Sequence, residues 1–454
     1  MCDTSGPDTG AIVSLNAIGK QDTYLLETDP NHSFFKYDPK RHSNFTKFHK
    51  NLNVNKPSTS SATWPFGETV KVTLNPRNMG DLLSNMYVSF ELPALTGTDS
   101  YYADQIGRHI LKSVTMRVDE IVVEKFHGDW GIIYDELYLD ESEKRTKRYT
   151  VNRNNAEDTS LLPGNQILAQ NKSRVFIPIP LLFSRKYESD EYETNTPNRP
   201  YFPTCAIHKQ KLQFEFEFHK QSFFTNETDS VYLPEFDIIT EEITIDPSER
   251  IHMTNKRHVL VTDIVKKHPT LDILAGTRNA KLELVPKIPV KTLNWFLRQK
   301  TFENEETYEG GTTLTANVFA NRYNFSSSSE YSITNEFYNA PMVKAKIFIN
   351  GQDLPNIQDS DHKYFKYVVP FTSRLSRPFR SIYTYAFSMN PINVEPSGNL
   401  DFSQIQSDKT SIEVKLDTSA NSLVDTATKT YSLHMYYTGY QTYIFDKGFM
   451  SLAY

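Results

Sequence analysis

The chain has 454 residues, a formal net charge of −6 and 13% aromatic residues, among them 29 Phe and 26 Tyr. That length suggests two or three domains, and the weakly acidic balance excludes the strongly basic class that coats nucleic acid. Near-average glycine and proline exclude collagen-like and low-complexity chains.

The opening MCDTSGPDTG has neither a basic region nor an apolar core, so no signal peptide is expected. No run of about 18 apolar residues suggests a membrane span, and cytosolic synthesis is expected. Residues 1–30 are polar and precede the first strong strand, which reads as an N-terminal arm. Cys2 and Cys205 are read as free thiols in a reducing compartment. The sequons at Asn31, Asn44, Asn171, Asn226 and Asn324 then read as chance matches.

Along the chain, a basic stretch holds Arg41, His42, Lys47, His49 and Lys50. It could serve a metal or nucleic acid; a solvated or interface-facing basic face is the plainer reading. Val70, Val72 and Leu74 alternate with polar neighbours, as a half-buried strand requires. His127-Gly128-Asp129-Trp130 could form an acid–base cluster, but a turn closing on a buried Trp explains it more simply. Trp130, Ile133, Tyr134 and Leu137 follow at helical spacing, a short core-packing stripe. Asp140 to Ser173 reads as a long polar loop, and so does Lys186 to Thr204. Between them, Arg174 to Phe183 carries Pro178 and Pro180, which remove two donors from one side only. An edge strand is expected.

Leu212, Phe214, Phe216 and Phe218 alternate with Gln213, Glu215, Glu217 and His219, the clearest strand of the first half. The pairs Glu241-Glu242 and Asp140-Glu141 raise the question of glycosidase carboxylates. Neighbours on a strand point to opposite faces, so Glu241 and Glu242 should not converge. Proline and charge break the pattern at Asp246-Pro247-Ser248-Glu249-Arg250, the expected boundary. It leaves halves of roughly 245 and 205 residues, each able to hold an eight-stranded sandwich with loops.

In the second half, Glu303 to Ala340 reads as a third polar loop. Val343, Ala345, Ile347 and Ile349 alternate and stop at Asn350-Gly351, a strong hairpin signal. Glu395-Pro396-Ser397-Gly398 suggests a type I turn. Ile412, Val414 and Leu416 mark another strand. Tyr436, Tyr437, Tyr440 and Tyr443 could form a sugar-binding platform or simply line the last strands. HExxH, Gly-x-Ser-x-Gly and a phosphate-binding glycine loop are all absent from the sequence, so no catalytic, cofactor-binding or metal-ligating residue is assigned.

Several stretches are less generic. Gln21-Asp22-Thr23-Tyr24-Leu25, Phe34-Phe35-Lys36-Tyr37 and Lys40 to Phe45 resemble the opening motifs of major capsid proteins of large nucleocytoplasmic DNA viruses. Ile106 to Trp130 resembles that family's strand pair ending in a Gly-Asp/Glu-Trp turn, and Ile177 to Leu181 its proline-bearing strand. Asp246 to Arg250 is similar to its inter-roll element, and Lys291 to Trp295 and Phe348 to Gly351 to its second-roll elements. Tyr383 to Ser403 resembles a Tyr-Ser-Phe-Ala-Leu…Pro-Ser-Gly…Asn-Phe-Ser signature, and Gly448 to Tyr454 the C-terminal Gly-x-x-Gly-Leu-Ala-Tyr. The order is kept from about residue 15 to the last residue. Ala386-Phe387 inverts the usual order, Asn399 to Phe402 shifts the Asn-Phe pair, and Ser451 replaces a glycine, which marks a divergent member.

The resemblance implies an all-β fold of two consecutive eight-stranded jelly-roll sandwiches, a double jelly roll with long surface loops and a few short helices. The expected division is an arm at 1–30, a first roll at 31–245, a linker at 246–255 and a second roll at 256–454. It implies a non-enzymatic major capsid protein without cofactors. Homotrimers would form pseudo-hexagonal capsomers that tile an icosahedral shell. Partners would be neighbouring capsomers and minor capsid (cement) proteins, with no direct contact to nucleic acid. The shell would face an internal viral membrane without spanning it, and assembly would be cytoplasmic. The reading from another class is a carbohydrate-binding or carbohydrate-active β-sandwich. A minor capsid or penton protein is a third, weakened by the two rolls expected here.

Overall fold

The computed structural model describes residues 9–26, 29, 35, 41–97, 100–103, 105–152, 171–186, 200–306, 321–329, 339–357, 360–393, 395–405, 409–416 and 428–453. It divides into two units, Met1–Asn44 and Phe45–Tyr454. In the first, the described elements are helix α1 (Thr9–Asn16) and a 3-10 turn at Asp22–Tyr24. The Asp22 carboxylate accepts a hydrogen bond from Gly19 N at 2.6 Å.

In the second unit, the period-two segments become strands. The first eight are β1 (Phe45–Asn55), β2 (Thr69–Leu74), β3 (Leu82–Leu92), β4 (Leu111–Val118), β5 (Ile121–His127), β6 (Ser173–Pro178), β7 (Leu212–Phe218) and β8 (Glu235–Ile245). They form two four-stranded antiparallel sheets, ordered β1-β8-β3-β6 and β2-β7-β4-β5. Every connection except the β4–β5 hairpin crosses between the sheets, which is jelly-roll winding. Short helices fill the connections: α2 (Ile106–Ile110), α3 (Gly128–Leu137) and α4 (Glu141–Val151).

Helix α5 (Pro247–Asn255) follows, opened by the Asp246 carboxylate, which accepts from Ser248 N at 3.0 Å, and by Pro247 in the first turn. The second set is β9 (His258–Lys267), β10 (Leu271–Ile273), β11 (Asn279–Glu283), β12 (Pro289–Gln299), β13 (Met342–Ile349), β14 (Gln352–Leu354), β15 (Ile382–Ala386), β16 (Leu400–Asp401), β17 (Ser411–Leu416), β18 (Tyr431–Asp446) and β19 (Phe449–Leu452). One sheet runs β10-β18-β12-β15, with β9 beside β10 on β18 and β16 and β19 as short additions; the other runs β11-β17-β13-β14. With its first strand split into β9 and β10, this is the same winding again. The chain is a double jelly roll.

The expected strands are present, and the pattern that announced them explains their burial. On β7, Leu212, Phe214, Phe216 and Phe218 point inward while Gln213, Glu215 and Glu217 stay half-buried. Each buried Phe contributes about 1.5–3 kcal/mol of hydrophobic stabilisation. Asn350-Gly351 turns β13 into β14 with φ of 51° and 84°. Among the described residues, β6 is an edge strand paired to β3 alone. Ile179 N donates to Met86 O at 3.1 Å, so the nitrogens of Pro178 and Pro180 face the open side, where a missing N–H blocks further pairing.

Three expectations need correction. The stretch after Asp140 is not all loop, because α4 occupies Glu141–Val151; residues 153–170 of that loop lie outside the described residues. Asp140 and Glu143 form a capping box, with Asp140 Oδ1 accepting from Glu143 N at 2.8 Å and Glu143 Oε2 from Asp140 N at 3.0 Å. His127-Gly128-Asp129-Trp130 is not a turn but the start of α3, although Trp130 is buried as expected. Pro396-Ser397-Gly398 forms no hydrogen-bonded turn. Ser397 instead clasps the neighbouring loop, with Met389 N donating to Ser397 O at 3.1 Å and Ser397 Oγ to Asn390 O at 2.8 Å. Of the other polar loops, 187–199, 307–320 and 330–338 lie outside the described residues.

Antiparallel pairing throughout places alternate connections at opposite ends of each roll. One end carries α3 and α4 and is where β12 ends, β13 begins, β14 ends and β15 begins. At the other, Asp119-Glu120 and Asn350-Gly351 are tight turns.

Candidate functional site

The carboxylate pair, the basic stretch and the tyrosines singled out for chemistry do not form one site, whereas His127 and Asp129 share the wall of the cavity described below. Glu241 on β8 receives Lys47 at 3.0 Å, Asn85 Nδ2 at 3.2 Å and the Ser84 hydroxyl. Glu242 faces the other way, accepting from Gly80 N at 2.5 Å and Thr240 Oγ1 at 2.7 Å. Each carboxylate is already committed. Of the basic stretch, Lys47, His49 and Lys50 lie on β1, where Lys47 and His49 (3.5 Å) both meet Glu241. Tyr436, Tyr437, Tyr440 and Tyr443 are all buried in β18, which leaves no aromatic platform there. Asn324 is buried as well, out of reach of glycosylation in the folded chain. Among the described residues, no group of three or more His, Cys, Asp or Glu could hold a metal ion. Also among them, no helix is long and apolar enough to cross a membrane.

What the structure does assemble is a polar seam between the two rolls, centred on α3. This helix starts where it does because Gly128 packs against the β4 backbone; a Cβ there would sit 2.6 Å from Leu111 O. In ten residues it carries Asp129, Asp135 and Glu136, and each meets a buried arginine. Asp129 takes both guanidinium nitrogens of Arg298 on β12, at 2.9 and 3.3 Å. Glu136 takes Arg380, just before β15, at 2.6 Å, and also accepts from Phe379 N. Asp135 takes Arg108 of its own roll at 3.0 and 3.1 Å, with Lys147 close by.

The electrostatics follow from burial. Burial pushes the Asp129 carboxyl up, but the paired Arg298 guanidinium outweighs it and holds the group well below the usual carboxylate range. Arg298 is opposed by burial and raised on balance by Asp129 and Glu303. Removing either partner would strand a buried charge.

Further contacts extend the seam. Glu124 on β5 pairs with Arg185 and accepts from Val265 N of β9 at 3.1 Å and Leu182 N at 2.7 Å. Arg185 also donates to Asp263 O at 2.9 Å. Tyr443 Oη donates to Val123 O at 2.8 Å, Tyr323 Oη to Arg108 O at 2.7 Å, and Met450 N to Gln210 Oε1 at 2.6 Å. Behind them, Lys291 pairs with Asp263 at 2.6 Å; burial drives the lysine down and the carboxyl up, and each draws the other back.

At the insertion-bearing end, the seam opens into a cavity of about 560 Å³. Lys112, Lys125, Lys267, Arg298 and Lys300 line it together with Asp129, Glu217, Asp272, Glu303 and Glu305. His127, His219 and His434 share its wall. Burial lowers all three histidines, His127 to about 4. Glu305 is held at about 2 chiefly by His219, whose Nδ1 lies 3.3 Å away. For Glu303, burial is overcome by the His434 hydrogen bond and the Arg298 charge, and the carboxyl sits at about 2. Among the described residues, five cations and five carboxylates face one another here. Such pairing holds the two rolls together.

Sequence reasoning missed this seam because its partners lie far apart, 169 residues for Asp129–Arg298 and 244 for Glu136–Arg380. Three acids on an otherwise apolar ten-residue helix were the available signal.

Comparison with known proteins is consistent end to end. The family model described as "Major capsid protein N-terminus" matches residues 33–253, and "Large eukaryotic DNA virus major capsid protein" matches 249–450. The major capsid protein of Paramecium bursaria Chlorella virus 1 is 25% identical over 98% of this chain and 99% of its own length. That of Phaeocystis pouchetii virus is 21% identical over 98% and 99%. Among solved structures, a subunit of the PBCV-1 virus capsid superposes with a TM-score of 0.71 at 21% identity, covering 93% of this chain and all of that one. The Faustovirus major capsid protein gives 0.63 at 10% identity, covering 95% and 96%. These likenesses show the fold.

Proposed function

The chain belongs to the major capsid protein family of large eukaryotic DNA viruses, and from that premise we propose that it assembles into homotrimers that tile an icosahedral shell. The observation that carries this reading is the pair of jelly rolls joined by a buried ionic seam. Such a unit behaves as one block rather than two hinged halves. Three copies place six rolls around an axis, a pseudo-hexagon able to pack against its neighbours. Trimer contacts should bury several thousand Å², as permanent interfaces do; contacts between capsomers should be smaller, more polar and salt-sensitive.

The division of labour follows the expected boundaries. The arm at 1–30 lies beneath the capsomer and reaches neighbours or minor capsid proteins. The rolls at 31–245 and 256–454, joined through 246–255, form the wall. The insertion-bearing end faces outward and the opposite end faces the internal membrane. Assembly takes place in the host cytoplasm.

Light scattering on the purified chain tests the oligomer. A particle of three chain masses that survives dilution is expected; a stable monomer overturns the trimer. Electron microscopy of assembled material should show hexagonal units with three towers. A chain lacking residues 1–30 should still form trimers but build shells poorly, and unchanged shell assembly would remove the role given to the arm.

A further inference from the structure

Behind the seam, β12 carries a bulge: its register with β18 slips between Val290 and Thr292, at Lys291. Bulges re-aim a side chain. Lys291 Nζ reaches Asp263 Oδ2 of β9 at 2.6 Å and donates to Asn393 O at 3.0 Å. β9 and β12 flank β18 on opposite sides, with Asp263 opposite Tyr440 and Val290 opposite Gly439. The side-chain pair therefore spans the strand between them. We propose that Lys291 and Asp263 condense to an amide, an intramolecular isopeptide bond that ties β9 to β12.

The residue types decide the chemistry. The seam pairs its carboxylates with arginines, Arg298 with Asp129 and Arg380 with Glu136, and a guanidinium stays protonated. Here the base is a lysine whose side chain is 0% exposed, facing a carboxyl that is 8% exposed. Burial penalises both charges, so the lysine is lowered and the aspartate raised. Passing one proton across the 2.6 Å contact gives a free amine beside a carboxylic acid, the two forms that condense. The Nζ lone pair then attacks Cγ and the C–N bond forms. The Cγ–Oδ2 bond breaks, and Oδ2 leaves as water with the acid proton and one amine proton. No oxidant or other co-reactant is needed. Fixed proximity supplies the effective concentration that a free amine and acid lack in water.

The surroundings fit the product. The single N–H of the new amide keeps Asn393 O as its acceptor. A neutral amide replaces two buried charges whose desolvation is costly. The Tyr440 ring lies 5.0 Å from Nζ, and its hydroxyl accepts from Ser397 N at 3.2 Å, which pins it to the clasped loop. That cover keeps out the water that would hydrolyse the bond. The two residues are 28 positions apart, and a cross-link between them constrains the unfolded chain much as a disulfide does. This inference does not depend on the trimer.

Mass spectrometry of the purified full chain tests it. The intact chain should be one water lighter than its sequence requires. Trypsin should leave Lys291 uncut and release a branched peptide that joins residues 258–266 to residues 288–298. Lys291→Arg should show its full sequence mass, lose the branched peptide and melt at a lower Tm. The Lys346–Asp353 pair has the same 2.6 Å separation at 41% and 39% exposure, and should stay unlinked. A full sequence mass with cleavage after Lys291 in the unmodified chain overturns the proposal. So does a water loss that leaves the two peptides separate, which marks a cyclised aspartate. A bond at Lys346–Asp353 overturns it too, since contact without burial would then suffice.

Discussion

The seam and the outer sheet faces use the same residue types to opposite ends. At the seam, Asp129, Glu136 and Arg298 are withdrawn from water, and each has a partner in the other roll. On the outer faces, Lys71, Glu215, Lys344 and Lys415 remain partly solvated, and their pairing is loose enough to differ between the rolls. Buried charge cannot tolerate a missing partner, so the seam fixes one arrangement of the rolls. Wet charge can tolerate imbalance, so the faces are free to diverge.

The largest effect should come from breaking that contrast at the seam. Arg298→Met leaves Asp129 buried and unanswered and should cost about 3–5 kcal/mol. Adding Asp129→Leu should recover much of it, because the stranded carboxylate causes most of the loss. Denaturant unfolding of the single and double variants measures both. If Arg298→Met costs no more than an exposed pair, under about 1 kcal/mol, the seam does not hold the rolls as described.

Acid should weaken the seam next, in two stages. His127 is lowered from 6.5 to about 4 by burial, so the unfolded chain takes up a proton before the folded one does. Stability present above pH 6.5 is therefore lost as pH falls towards 4, up to about 3 kcal/mol from this group. His219 and His434 shift in the same direction and add to the loss. Glu303 and Glu305 are lowered from 4.5 to about 2, so their contribution holds above pH 4.5 and disappears between 4.5 and 2. A Tm profile against pH should thus fall from about 6.5 downward, and His127→Phe should flatten its upper part. A profile level down to pH 4 in the unmodified chain would contradict the burial assigned to these rings.

The same contrast explains what the sequence disclosed. The strands were legible because one buried face imposes period two, as on β7 and β17. The Asn350-Gly351 hairpin was legible because two positive φ angles demand those residues. α4 was not: ESEKRTKRYTV has almost no apolar stripe, and the helix rests on its Asp140–Glu143 capping box. The Glu395–Gly398 turn was misjudged because its local chemistry is outweighed by Ser397 bonding to Asn390. The seam was invisible, since no local rule pairs Asp129 with a residue 169 positions away. Nor could a sequence without a visible repeat align β7 with β17, so the opposite charges of Glu215 and Lys415 stood out only once both sheets were in view.

The smallest expected effect probes that pair of strands directly. Glu215 and Lys415 occupy the central strands of equivalent sheets with opposite charge, and each can be given the other's sign. Glu215→Lys removes the answer to Lys71 and Arg117 and should destabilise by roughly 0.5–1 kcal/mol. Lys415→Glu places an acid opposite Lys344 and should stabilise by a similar amount or less. Both changes should shrink in about 1 M salt, where the Debye length falls to about 3 Å, whereas the cost of Arg298→Met should persist because its charges are dry. Measuring the three variants at low and high salt therefore separates the two regions by a single criterion. Should Lys415→Glu destabilise at low salt, the cations around it are already neutralised within the chain, and the second roll's face is balanced like the first.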